Sequence, residues 1–156
     1  MGTCKSAFLI AAITSSLLFG CSSKIVGFSE KTPHLIGSFE PGSGGGFMHA
    51  KAGESGYLIY GPYWPLEDGK SRVVYTIMAR GPEGADAGTI ELSAFNTDNK
   101  AQTTMGSIEV FSDAQPRWKD YSIDTWSLNG DFVYEFRVLS TGVGDIYVKS
   151  IKLKKL

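Results

Sequence analysis

Two cysteines and two histidines are all that this 156-residue chain offers to a metal or redox centre. Cys4 and Cys21 lie near the start, His34 and His49 further on, and their spacing fits no zinc motif. Basic residues are not in excess either: 15 Lys and Arg face 16 Asp and Glu. So balanced a chain lacks the basic stripe that a phosphate backbone needs, which argues against nucleic acid as a partner. Gly-Ser-Gly-Gly-Gly at 42–46 has the glycines of a phosphate loop, but neither its Lys-Ser/Thr nor a following helix. Ser55, in Gly-Glu-Ser-Gly at 53–56, lacks the strand-turn-helix setting of a nucleophile elbow. Glu40, Glu67, Asp68, Asp86 and Asp145 all fall in turn-like segments, where carboxylates are common. With no catalytic constellation in view, the expectation is a protein that is not an enzyme and carries no cofactor. Helical periodicity is almost missing after residue 22, as are internal repeats and any second compositional regime, so one domain is expected.

The N-terminus stands apart. Lys5 precedes an apolar run from Ala7 to Phe19, which is too short for a comfortable membrane span. The run ends in Leu18-Phe19-Gly20-Cys21 and resembles the signal peptide and lipobox of bacterial lipoproteins. That resemblance implies a signal peptide at 1–20 and an acylated (palmitate-bearing) Cys21 as the mature N-terminus. It also implies a tether over 21–32, a domain over 33–156, and a place in the bacterial cell envelope. Ser22 in place of Asp resembles an outer-membrane or cell-surface address. Removal of Cys4 with the signal peptide and acylation of Cys21 would leave no thiol for a disulfide, so the core alone holds the fold.

What remains reads as β structure. Strand-like runs lie at 34–39, 46–52, 56–61, 71–80, 89–95, 106–112, 119–128, 131–140 and 145–153, separated by Gly, Pro, Asp and Asn clusters. About nine short strands at this spacing predict an all-β antiparallel sandwich or barrel. Phe132, Tyr134, Phe136 and Val138 share one parity while Glu135 and Arg137 share the other, as in a half-buried strand. The run from Arg72 to Ala79 is apolar on both parities and predicts a central strand covered on both sides. Lys152 and Lys154 alternate with apolar residues near the C-terminus, which suggests a charge-protected edge strand.

Residues 60–81, Trp118 to Ile123, and the last strand from Gly144 to Leu153 together resemble the galactose-binding-like jelly rolls, a superfamily that includes many bacterial carbohydrate-binding modules. The resemblance implies a jelly-roll sandwich and a glycan ligand. Some of these modules hold a structural Ca²⁺ with an Asp of the last strand. This chain has Lys149 there, so no metal is expected.

Tyr63 and Trp64 lie between Pro62 and Pro65. In a regular strand their side chains point to opposite faces. The resemblance assigns Tyr63 to the core and leaves Trp64 either as cover for one end of the sandwich or as an exposed stacking platform; both stand as candidate glycan contacts. Arg80 and Asn96, at the ends of strand runs, are candidates for polar contacts to a sugar. Trp126 is a second candidate aromatic, whereas the resemblance makes Trp118 structural. Two functions are therefore expected as alternatives. One is a lipid-anchored, non-catalytic carbohydrate-binding module. The other is a structural or assembly lipoprotein that binds another envelope protein through the sandwich. The first needs an exposed aromatic among polar groups, and the second a broad apolar patch or open edge.

Overall fold

A computed structural model describes residues 23–128 and 131–156. The expected signal peptide at 1–20 and Cys21 lie outside the described residues. Ten strands appear in chain order: β1 Ser23–Val26, β2 Ser38–Glu40, β3 Phe47–Ala50, β4 Gly56–Trp64, β5 Lys70–Arg80, β6 Asp86–Asn96, β7 Gln102–Phe111, β8 Lys119–Trp126, β9 Phe132–Ser140 and β10 Asp145–Lys155. They form two antiparallel sheets. The first runs β2-β3-β10-β5-β8, with β1 also paired to β10; the second runs β4-β9-β6-β7. This is the expected all-β antiparallel sandwich.

Period-two alternation builds the core between the sheets. Val73, Tyr75 and Ile77 of β5 turn inward with Ile146, Val148 and Ile151 of β10. Ile90 and Leu92 of β6 and Phe136 and Val138 of β9 meet them from the second sheet. Burying such side chains contributes roughly 1.5–3 kcal/mol each. The buried polar ends are matched. The Tyr75 hydroxyl donates to the Glu91 carbonyl at 3.0 Å, and the Tyr134 hydroxyl accepts from the Leu128 amide at 2.6 Å.

Three expectations need correction. Residues 23–26 are not tether: they pair with Leu153, Lys152 and their neighbours as a strand of the first sheet. Backbone hydrogen bonding to β10 and burial of Val26 draw them in. The last strand is not an edge, because β10 is flanked by β5 on one side and by β3 and β1 on the other. Lys152 and Lys154 stand on the outer face of the sheet instead. β5 is interior to its sheet, between β10 and β8, as expected, but it is not covered on both faces: its second apolar parity faces outward, where Val74 is buried in a row with Lys152 and Ser122.

Candidate functional site

The outer face of the second sheet carries an organised side-chain cluster, and β4 explains it. Pairing between β4 and β9 slips twice, between Tyr57 and Ile59 and again between Tyr60 and Tyr63. Gly61, at a φ of +93°, sits in the second irregularity, a conformation that glycine tolerates and β-carbon-bearing residues resist. Pro62 follows on an edge strand, where no ladder partner misses its amide. Each irregularity resets the parity. Tyr57, Tyr60 and Tyr63 therefore stand opposite Leu139, Arg137 and Glu135, three successive outward positions of β9.

Arg137 is the centre of this face. Its side chain is 16% exposed and lies between two carboxylates. Nη1 donates to Glu91 Oε1 at 3.0 Å, and Nε donates to Glu135 Oε2 at 2.8 Å, with Nη2 in close contact with the same oxygen. Burial alone would lower the guanidinium pKa, but Glu135 and Glu91 outweigh it and raise the value, so the charge is fixed. Glu135, only 3% exposed, also accepts from the Tyr63 hydroxyl at 3.1 Å. Ser93 donates to Glu91 Oε1 at 2.6 Å, and the Gln102 amide lies against Glu135 and Arg137. Every member of the network thus holds another in place.

Aromatic rings surround the charges. The guanidinium lies 5.7 Å from the Tyr57 ring centre, and Tyr57 meets Tyr60 edge-on at 6.4 Å. Tyr63 is 53% exposed and meets Phe95 edge-on at 6.3 Å. Burial, followed by the negative charge of Glu135, pushes its phenol pKa up, so it remains a donor. Leu35, Tyr57, Tyr60, Glu135 and Arg137 line a cleft of about 320 Å³. It has a rigid apolar wall, a fixed cation and a carboxylate edge, which suits a ring with one apolar face and a rim of hydroxyls.

The sequence candidates fall in different places. Tyr63 is on this face, whereas the resemblance had assigned it to the core. Trp64 is opposite to Tyr134, points inward and meets Phe136 edge-on at 5.9 Å. It is a partly buried cover for the core, the first of the two roles expected for it, and Tyr63 rather than Trp64 takes the exposed place. Asn96 is near Tyr63 through Phe95, but its side-chain oxygen accepts from the amides of Asp98 and Asn99 and shapes the turn. Arg80 ends β5 beside Asp145, in the other sheet and a strand length away from Lys70, roughly 33 Å. Trp126 is 64% exposed, also in the other sheet. One site cannot gather them all. Trp118 is not core either: it is 37% exposed, tilts against Phe47 at 6.2 Å and lies 5.7 Å below the Lys149 ammonium. Lys149 sits in the irregularity of β10 between Val148 and Ser150. Among the described residues, no three His, Cys, Asp or Glu side chains gather into a metal-binding group.

Similar folds are known. The C-terminal CBM6 module of LamC, a marine laminarinase from Zobellia galactanivorans, superposes with a TM-score of 0.52 at 15% identity, covering 86% of this chain and all of that one. A CBM35 module from Cellvibrio japonicus gives 0.52 at 13% identity over 85% of this chain and 92% of its own. A xylan-binding CBM15 module gives 0.50 at 10% identity, over 86% and 97%. The fold is that of carbohydrate-binding modules. No protein-family model and no curated protein sequence matches the chain.

Proposed function

We propose that this protein is a non-catalytic, lipid-anchored glycan-binding module of the bacterial cell envelope, and that it binds on the outer face of the second sheet. The observation that carries the reading is the register of β4, which sets Tyr57, Tyr60 and Tyr63 in one row opposite Leu139, Arg137 and Glu135. The tyrosines supply stacking surface, while Arg137, Glu135 and Gln102 supply fixed donors and acceptors. A preorganised network lowers the ordering cost of binding. The open, strand-long face suits an internal stretch of polysaccharide better than a chain end. Similarity of fold to carbohydrate-binding modules supports the ligand class. Trp64 gives this ligand no platform; Tyr63 takes that part.

Anchoring follows from Leu18-Phe19-Gly20-Cys21, with residues 1–20 as signal peptide and Cys21 as the acylated first residue. A glycan array, followed by affinity electrophoresis through xylan-containing gels, tests the ligand. Binding that weakens about tenfold in Tyr60→Ala is expected. A blank array together with capture of an envelope protein through the same face would favour the assembly role instead. Mass spectrometry of the mature N-terminal peptide tests the anchor, and an unmodified peptide starting elsewhere would reject it.

A further inference from the structure

We infer that the end of the first sheet where β10 and β8 terminate rests on an anionic membrane surface, with Trp126 and Lys154 at the contact. The inference rests on the proposed acylation of Cys21. β1 runs antiparallel to β10, and Ser23 pairs with Lys154 near the C-terminus. Cys21 is two residues before Ser23, so at most about 7 Å of chain separates the acyl anchor from this end. A strand bound into the sheet leaves no long tether on which the domain could tumble.

The side chains at this end match a headgroup layer. One outward row crosses the sheet as Ser23, Lys154, Arg72 and Asp124. The terminal row places Lys70 beside Trp126, and the Leu156 amide donates to the Lys70 carbonyl at 2.9 Å. Trp126 is 64% exposed, Leu156 53%, and Ile25, opposite Lys152, 58%. Asp124 occupies Arg72 and Lys70, but among the described residues Lys152 and Lys154 make no ion pair. Exposed Trp with apolar neighbours and lysines is what the interface between headgroup and acyl chain accommodates, and anionic lipid attracts the cations. Glu67 and Asp68, in the loop that leads into β5, are the carboxylates that oppose it. The strands then stand along the membrane normal, and the tyrosine face of the other sheet looks sideways, open to a polysaccharide.

The test uses mature protein purified from membranes and reconstituted into phosphatidylcholine–phosphatidylglycerol vesicles whose acyl chains carry bromine near the headgroup. Trp126 is one of three tryptophans. Wild type should lose roughly a third of its emission to the bromolipid, and Trp126→Phe should lose almost none. The double variant Lys152→Glu/Lys154→Glu should lose less than half as much as wild type. Equal quenching in wild type and Trp126→Phe would overturn the inference. So would shielding of Trp126 that ignores the bromolipid and grows with protein density, which would assign the patch to a second copy. The N-terminal peptide mass separates the two readings. Acylated Cys21 without quenching defeats only this orientation, whereas an unacylated N-terminus defeats the anchor and the orientation with it.

Discussion

The two outer faces of this sandwich are built on different electrostatic plans. On the second sheet Arg137 is nearly enclosed, shared by Glu91 and Glu135, and walled by tyrosines. On the first sheet Arg72 and Lys70 meet Asp124 in the open, with side chains 44%, 42% and 32% exposed. The distances are similar, since Arg72 Nε to Asp124 Oδ1 is 2.6 Å, but the surroundings are not. Water screens the open pairs, so their energies are small and their charges stay available to partners. The enclosed network is costly to break and holds its donors in fixed positions, as a site for an uncharged, hydroxyl-rich ligand requires.

The largest expected effect breaks the enclosed network. Arg137→Ala leaves Glu135, which is 3% exposed, without a cation and removes the cationic partner of Glu91. Denaturant unfolding should show a loss of about 3 kcal/mol, since an uncompensated carboxylate remains in a poorly solvated place. Glycan binding should vanish with it. A loss below about 1 kcal/mol would mean that water already reaches the network freely, and the contrast between the faces would fail.

Trp64→Ala comes next. The indole covers the core edge-on to Phe136 but is only partly buried, so truncation should cost about 2 kcal/mol, less than for a fully enclosed Trp. A loss of only a few tenths would return Trp64 to the surface and reopen it as a platform.

A smaller change in stability should accompany a clear change in binding for Tyr60→Ala. This substitution should weaken glycan affinity about tenfold, which is about 1.4 kcal/mol, while altering stability by about 1 kcal/mol or less. Trp126→Ala, on the other sheet, should leave glycan affinity unchanged. Equal losses in the two variants would show that ligand engages both faces.

Much of the sandwich was legible in the residues, and the reason shows in β9. From Tyr134 to Val138 apolar and charged residues alternate, so the inward set and the outward Glu135 and Arg137 follow from parity alone. β4 hides its row because two irregularities turn a period of two into a spacing of three. Regular alternation puts Tyr60 with Trp64 and away from Tyr57 and Tyr63. The signal was present in the Tyr-x-x-Tyr-x-x-Tyr spacing, with Gly61-Pro62 between the last two. β1 was illegible for another reason. Ser-Lys-Ile-Val is four residues long, and its partner is Lys154 to Ile151 at the far end of the chain. Local pattern says nothing about a pairing of that range. Trp126 was readable as outward, but parity does not tell which sheet a strand joins. Nor did it reveal that Arg80 and Tyr63 belong to different sheets.

The smallest effect probes the open face through pH. Arg72, donating to both Asp124 oxygens at 2.6 and 2.9 Å, is the main cause that holds the Asp124 carboxyl down at about 2, from an ordinary value of 3.8; partial desolvation opposes this, and Lys70 adds to the lowering. A depressed folded-state pKa stabilises the fold above the unfolded value, and that stabilisation disappears as pH falls through the folded value. The melting temperature of wild type should therefore exceed that of Asp124→Asn by a small margin at neutral pH. The margin should begin to shrink near pH 4 and close only below about pH 2, once the Asp124 carboxyl is protonated in the folded state as well. It should also shrink in high salt, because the pair is open to solvent. The same substitution releases Lys70 and Arg72 beside Trp126, so it should strengthen association with phosphatidylglycerol vesicles while glycan binding on the other sheet stays the same. A margin that persists well below pH 2 would trace the stability difference to something other than this charge pair, and a coupled change in glycan binding would show that the two faces do not act independently.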